Sequence, residues 1–308
     1  MRDGKMISLP ASTRGLSEYA KGMIITIVGA VCWGISGTCS QYLCSVQGMD
    51  SRWVTQIRLI CAGIILVIYS LIRERERFGQ LIHTPKALAH CVIFGVCGLM
   101  FTQYTYTTSI SATNSGTATV LQYMSVIIVL AVSCVMSRKL PVLREILAIL
   151  SCLAGSFLVA THGSLTGLSI SREGLFWGIL SAVAAACYIL IPQKLMKEWG
   201  STLPVGQGML YGGIAFFFLM RMWTRPLQVD LRSLLALAVI VVVGTVLAFV
   251  FFLWGTSIIG PARGNMVGCM EPLVATLTTV LFLHTSFLPV DFIGFGFIIA
   301  TVFILARR

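Results

Sequence analysis

Ten stretches of roughly 17 to 23 mostly apolar residues occupy most of this chain, and few folds can contain them. A water-soluble particle of 308 residues cannot bury ten such segments, and it needs charge at roughly a quarter of its positions to cover its exterior. Here only 11% of residues are charged while 57% are hydrophobic, which excludes a soluble globule. Intrinsic disorder requires low hydrophobicity, the reverse of this composition. The solvent is therefore mostly lipid. One helical crossing consumes about 20 residues, so ten crossings with short connections use nearly the whole chain. No room remains for a soluble catalytic domain. The runs are too long and too uniformly apolar for barrel strands, which alternate over about ten residues, so they must be helices.

The expected spans are Gly22 to Leu43, Trp53 to Ile72, Ala87 to Thr107, Gly116 to Met136 and Val142 to Thr161, then Gly174 to Pro192, Leu203 to Met222, Leu231 to Leu253, Gly264 to Leu283 and Val290 to Ala306. Residues 1–20 are polar, lack a signal-peptide core and form an N-terminal segment expected in the cytoplasm. The net charge of +11 fits the positive-inside rule better than nucleic-acid binding, because the basic residues fall in short gaps and not on one face. With the N-terminus inside, the cytoplasmic gaps hold about 16 Lys and Arg. The other side holds Arg52, Arg172, Arg221, Arg225 and Arg232, three of them in the gap after the seventh span. Both termini are expected inside. Ten cysteines and four histidines show no metal or redox spacing, so neither a metal nor a cofactor is expected.

Shifted by about 148 residues, the chain resembles itself. Leu99, Phe101, Thr108, Ser109, Ile110, Gly116, Val126, Val132, Leu140, Pro141 and Val142 meet identical residues at Leu247, Phe249, Thr256, Ser257, Ile258, Gly264, Val274, Val280, Leu288, Pro289 and Val290. Two halves follow, residues 21–162 and 173–308, joined by a loop over 163–172. Five spans per half is an odd number, so the second half must start from the opposite side of the membrane. The expected architecture is an all-α integral membrane protein of ten helices in two inverted five-helix repeats, an arrangement suited to alternating access.

Within this frame the sequence resembles the drug/metabolite transporter superfamily, specifically its EamA-type ten-helix permeases. The resemblance is carried by Trp33-Gly34, Arg58-Leu59 with Gly63, Leu121-Gln122-Tyr123, Glu271-Pro272 and Gly294, in that order over nearly the whole chain. Two departures stand out. The fourth and ninth spans end in Ser137-Arg138-Lys139 and His284-Thr285-Ser286 where the family often has Gly-Glu, and Met124, Ser125 and Val126 follow Tyr123 where a Pro is usual. The resemblance implies a secondary transporter, and export of a small metabolite such as an amino acid.

Arg58 and Glu271 are the strongly ionisable residues well inside expected spans. A charge at the bilayer centre costs about 2.5–3.5 kcal/mol on insertion scales, so each needs a partner, water or a function. Gly264, Gly268 and Glu271 share a helical face, which favours close packing around the carboxylate. Pro272 cannot donate a backbone hydrogen bond to the Gly268 carbonyl, which leaves a kink and a free acceptor beside Glu271. Such a break suits a substrate or proton site, and the competing reading is a structural pair with Arg58. Arg58 presents a planar fork of donors to an anionic group or braces the interior. Tyr123 aligns with Glu271 across the repeat. Trp33, Gln122, Tyr123 and Trp254 complete the expected cavity lining, whereas Tyr104 and Tyr106, near a span end, fit interfacial anchors. Histidines are expected in loops or at interfaces. No phosphate loop or nucleophile elbow is present, so the chain does not read as an enzyme or an ATPase. The rival classes are a membrane assembly protein or passive pore and, within the superfamily, an organic-anion or nucleotide-sugar antiporter. Expected partners are a small-molecule substrate, membrane lipid and protons, with no nucleic acid, and the expected location is a bacterial cytoplasmic membrane.

Overall fold

The computed structural model describes residues 18–138, 140–162, 170–259, 267–268 and 270–306. Among them there is no strand. The helices are α1 (Glu18–Val46), α2 (Ser51–Arg73), a short α3 (Arg75–Ile82), α4 (Pro85–Ala112), α5 (Ser115–Met136), α6 (Leu143–Thr161), α7 (Arg172–Trp199), α8 (Thr202–Leu219), α9 (Leu231–Thr256), α10 (Met270–Leu283) and α11 (Pro289–Ala306). Seven of these, α1, α2, α4, α5, α7, α8 and α9, are at least 18 residues long and apolar enough to cross a membrane. Ile146–Val159 within α6, Met270–Leu283 and Pro289–Thr301 are shorter apolar helical stretches among the described residues. The architecture is that of a helical integral membrane protein.

Helix boundaries fall within a few residues of the expected spans, because in hydrocarbon every backbone group must be satisfied within its own helix. Two basic gaps prove helical. Arg75 and Arg77 lie on α3, and Lys194 and Lys197 continue α7 past Pro192. Asn114 caps α5, its Oδ1 accepting the Thr117 N–H at 2.8 Å, and Ser171 caps α7 through the Gly174 N–H at 2.9 Å. Four helices end on a non-glycine residue in the left-handed region, namely Arg138, His162, Arg221 and His284. Two of them, Arg138 and Arg221, are cations, which the dipole favours at a helix C-terminus.

Helices of the first half pack mainly on helices of the second. α1 lies against α9 and α10, α2 against α8, α4 against α7 and α8, and α6 against α11. Lipid tails are as apolar as leucine, so close approach rather than water expulsion holds such pairs. At the α4–α8 crossing a Cβ on Gly212 would lie 2.5 Å from the Gly95 carbonyl oxygen, and one on Gly155 of α6 would lie 2.6 Å from the Gly294 carbonyl oxygen on α11. The central core joins Leu59 and Leu66 of α2, Phe94 and Leu99 of α4, Met209 and Phe216 of α8, and Phe249 of α9. At the α6–α11 end, His162 Nδ1 sits 2.6 Å from Oδ1 of the fully buried Asp291, whose Oδ2 accepts the Leu288 N–H. Sequence reading left His162 without a partner, because the two residues are 129 positions apart.

The two halves share irregularities as well as residues. α4 is π-helical over Phe94–Met100 and α9 over Val239–Leu247; a shift of 148 residues carries the first stretch onto 242–248, overlapping the second. α5 breaks at Tyr123 and Met124, where helical segments Ser115–Gln122 and Ser125–Ser137 meet. The same shift carries that break onto Glu271 and Pro272. The fourth span is therefore interrupted without its proline: Met124 N–H bonds to Leu121 O and Ile127 N–H to Met124 O, the tight i to i−3 pattern of a 3₁₀ turn.

Candidate functional site around Arg58 and Glu271

The π-helical stretch of α9 builds the seat for Arg58. Each widened turn takes in one extra residue, and π segments of this kind recur at functional positions. Thr245 Oγ1 donates to Ile240 O at 2.8 Å, five residues back, and accepts from Arg58 Nε at 2.9 Å. Arg58 Nη2 donates to Gly244 O at 3.1 Å. Gly244 has no room for a side chain: a Cβ there would collide with Ser36 of α1. The guanidinium of α2 is thus held by two groups of α9, at 5% exposure. Among the described residues its other donors have no hydrogen-bond partner.

Glu271 is half-buried near the start of the described part of α10 and makes no hydrogen bond or ion pair with a described residue. Its charge acts on Arg58, Tyr106 and Tyr188, which places one carboxylate, one guanidinium and two phenols near one another without a salt bridge joining the first two. Tyr106 is 7% exposed and its hydroxyl lies 2.6 Å from Thr119 Oγ1. The expectation of an interfacial anchor fails for it, because α4 runs on to Ala112 and carries Tyr106 six residues inside the helix. Tyr104 likewise packs inward, on Trp177 and Phe216.

The proline turn of α10 has a specific lock. Pro272 is buried and has no N–H, so the Gly268 carbonyl lacks its usual i+4 donor. Tyr123 supplies one: its hydroxyl donates to Gly268 O at 2.8 Å. The residue that aligns with Glu271 across the repeat thus caps the carbonyl exposed by the proline beside Glu271. Tyr123 positions this turn, with its hydroxyl already engaged.

An aromatic wall adjoins this point. Trp33 meets Phe252 at 4.7 Å and Phe249 edge-on at 5.3 Å between ring centroids, and Tyr188 lies between Phe249 and Phe94. A Cβ on Gly268 would touch Phe252 at 3.5 Å and the Tyr123 hydroxyl at 3.8 Å. Trp33, Phe252, Gly268 and Tyr123 therefore form one continuous surface, three residues from Glu271. Of the expected lining, Trp33 and Tyr123 meet here, together with Gly268, the residue expected to pack closely beside Pro272. Gln122 is half-buried at the end of the first segment of α5. Trp254 is 55% exposed, and Phe252, two residues earlier on α9, is the ring that packs on Trp33. Gly264 lies outside the described residues. Sequence reading missed Phe249, Phe252, Gly244 and Thr245; only the Phe101–Phe249 match in the repeat hinted at any of them.

No group of three or more potential metal ligands occurs among the described residues. The arrangement presents hydroxyl and aromatic groups beside opposite charges.

The bundle is that of a helical membrane transporter. The sequence profile of the EamA-like transporter family matches residues 20–161 and again residues 172–307, and the chain belongs to that family. It is 37% identical over 291 residues to the uncharacterized inner membrane transporter YicL of Salmonella typhimurium, covering 94% of this chain and 97% of that one. It is 25% identical to an uncharacterized transporter of Archaeoglobus fulgidus, over 89% of this chain and 93% of that protein. Protein PecM of Dickeya dadantii matches at 25% over about half of each chain, 54% and 56%. A solved crystal structure only 13% identical superposes with a TM-score of 0.64 over 92% of this chain and 96% of the other, which shows a shared fold.

Proposed function

We propose that this EamA-family transporter is a secondary carrier of a bacterial cytoplasmic membrane, with ten spans in two inverted repeats that rock about a central site. The carrying observation is the interruption of α5 at Tyr123–Met124, tied by the Tyr123–Gly268 hydrogen bond to the carbonyl that Pro272, beside Glu271, leaves without a helical donor. Broken helices at a repeat interface are where carriers bind cargo, because unwound backbone and charged groups are tolerated only against a cavity. The shared π stretches and the double family match support two equivalent halves.

In this reading the cargo is a small polar or amphipathic metabolite, such as an amino acid, moved outward. Arg58 receives an anionic group, Glu271 a cationic one or a proton, and Trp33, Phe249 and Phe252 an apolar portion. Gln122 lines the path beside the α5 break. Phe252 supplies the ring beside Trp33 in this reading. Glu271 exchanges a proton in step with cargo, so the proton gradient drives the cycle. The positive-inside vote supports an orientation with both termini in the cytoplasm.

The test is an untargeted comparison of vesicles loaded with bacterial metabolites, with and without the reconstituted protein. The carrier reading expects selective depletion of a few compounds, each accelerated by the same compound on the opposite side. Depletion of every small solute with no such acceleration marks a pore, and no depletion marks an assembly protein.

A further inference from the structure

The flank of the bundle between α2 and α8 carries a feature that central transport leaves unexplained. Trp53, Ile57, Ile60 and Cys61 of α2 and Phe217 and Phe218 of α8 line a groove of about 370 Å³, open to the side and almost wholly apolar. Gln56 Nε2 bridges the two helices by donating to Gly213 O at 3.2 Å, which sets their spacing there. Trp53 and Phe218 belong to the ends of α2 and α8 that meet the loop 220–230, so one end of the groove opens at a membrane surface.

That end is basic. Asp50 holds two arginines at once, Arg52 at 3.3 Å and Arg225 at 3.4 Å, and Trp53 Nε1 donates to Pro226 O at 3.2 Å, pinning the loop over the groove mouth. One carboxylate against two guanidiniums leaves a net positive charge. Arg221, three residues beyond Phe218, adds another; it is exposed and its guanidinium makes no hydrogen bond or ion pair with a described residue. Trp223 packs on both Phe217 and Phe218 while remaining 59% exposed, the placement of a headgroup-level aromatic. Arg52, Arg221 and Arg225 are also three of the five arginines that run against the positive-inside vote. A local cause is therefore needed for them.

We propose that this is a binding site for an anionic phospholipid, with one acyl chain lying in the α2–α8 groove and the headgroup phosphate held by Arg221 and the Asp50-linked pair Arg52 and Arg225. Guanidinium forks match phosphate oxygens, and each basic side chain near the surface strengthens attraction to anionic lipid about fivefold. The proposal requires only that the protein is embedded in lipid and holds whichever way it faces.

Native mass spectrometry of the full chain, released from bilayers of equal phosphatidylglycerol and phosphatidylcholine, tests it. The expected result is one tightly retained phosphatidylglycerol per chain, a preference that weakens as salt is raised and is unaffected by soluble glycerol phosphate. Arg221→Gln should cut the preference about fivefold, Arg221→Lys should keep most of it, and Arg172→Gln, on a helix that packs elsewhere, should leave it unchanged. Cys61→Phe, which fills the groove, should reduce retention of both lipids. Equal retention of the two lipids by the unaltered protein, displacement by soluble glycerol phosphate, or a paired chain in place of the lipid would each overturn the proposal.

Discussion

Removing the Tyr123 hydroxyl should destabilise the bundle by an amount that depends on a residue it does not touch, Pro272. In Tyr123→Phe the Gly268 carbonyl loses its donor in a buried setting, and Pro272 cannot replace it. An unsatisfied buried acceptor costs about 1–3 kcal/mol. Pro272→Ala restores an N–H one helical turn from Gly268 O, so the helix can close its own i to i−4 bond. In that background the same Tyr123→Phe change should cost about 0.5 kcal/mol or less. The predicted interaction between the two sites is therefore about 1–2 kcal/mol, well above the few tenths expected of independent positions. Equilibrium unfolding of the four proteins in mixed micelles measures it directly. Additivity within about 0.5 kcal/mol would refute the claim that Tyr123 serves the carbonyl freed by the proline. Transport should follow a different pattern: Pro272→Ala should slow it whether or not Tyr123 is present, because it closes the carbonyl that the proline leaves open beside Glu271.

Gly244→Val should be destabilising by about 1–3 kcal/mol, because its side chain meets Ser36 and shifts the carbonyl that holds Arg58; thermal melting in detergent reads the loss, and an unchanged melting temperature would contradict the close α1–α9 contact. Asn114→Ala should cost about 1 kcal/mol through the lost cap of α5, with Asn114→Asp recovering most of it in the same assay. Membrane orientation is tested in a cysteine-free background: an impermeant maleimide applied to intact cells should label Leu227→Cys and leave Glu76→Cys unlabelled, and the reverse pattern would invert the topology.

The helices were legible in the sequence for a physical reason: lipid allows no alternative for a run of 20 apolar residues. The repeat also pointed to Tyr123 and Glu271 as equivalents, and Pro272 to an orphaned carbonyl at Gly268. What the sequence could not convey is rotation about each helix axis. α9 is apolar on every side, so nothing in its letters says that Phe252 and not Trp254 meets Trp33. The break in α5 was equally hidden, since Met124 and Ser125 carry no breaker signal and tertiary packing imposes the tight turn. Tyr106 was misplaced only because its helix extends five residues beyond the expected end at Thr107. The seat of Arg58 depends on a π-helical stretch that no residue pattern announces.

The measurement closest to the central proposal is cargo flux into proteoliposomes, with and without an imposed pH gradient, for the unaltered protein and for Glu271→Gln. If Glu271 moves the coupling proton, the gradient accelerates flux through the unaltered protein, while Glu271→Gln retains exchange of cargo for cargo and loses the acceleration. Equal acceleration in both proteins would contradict the account and leave Glu271 as a structural carboxylate near Arg58.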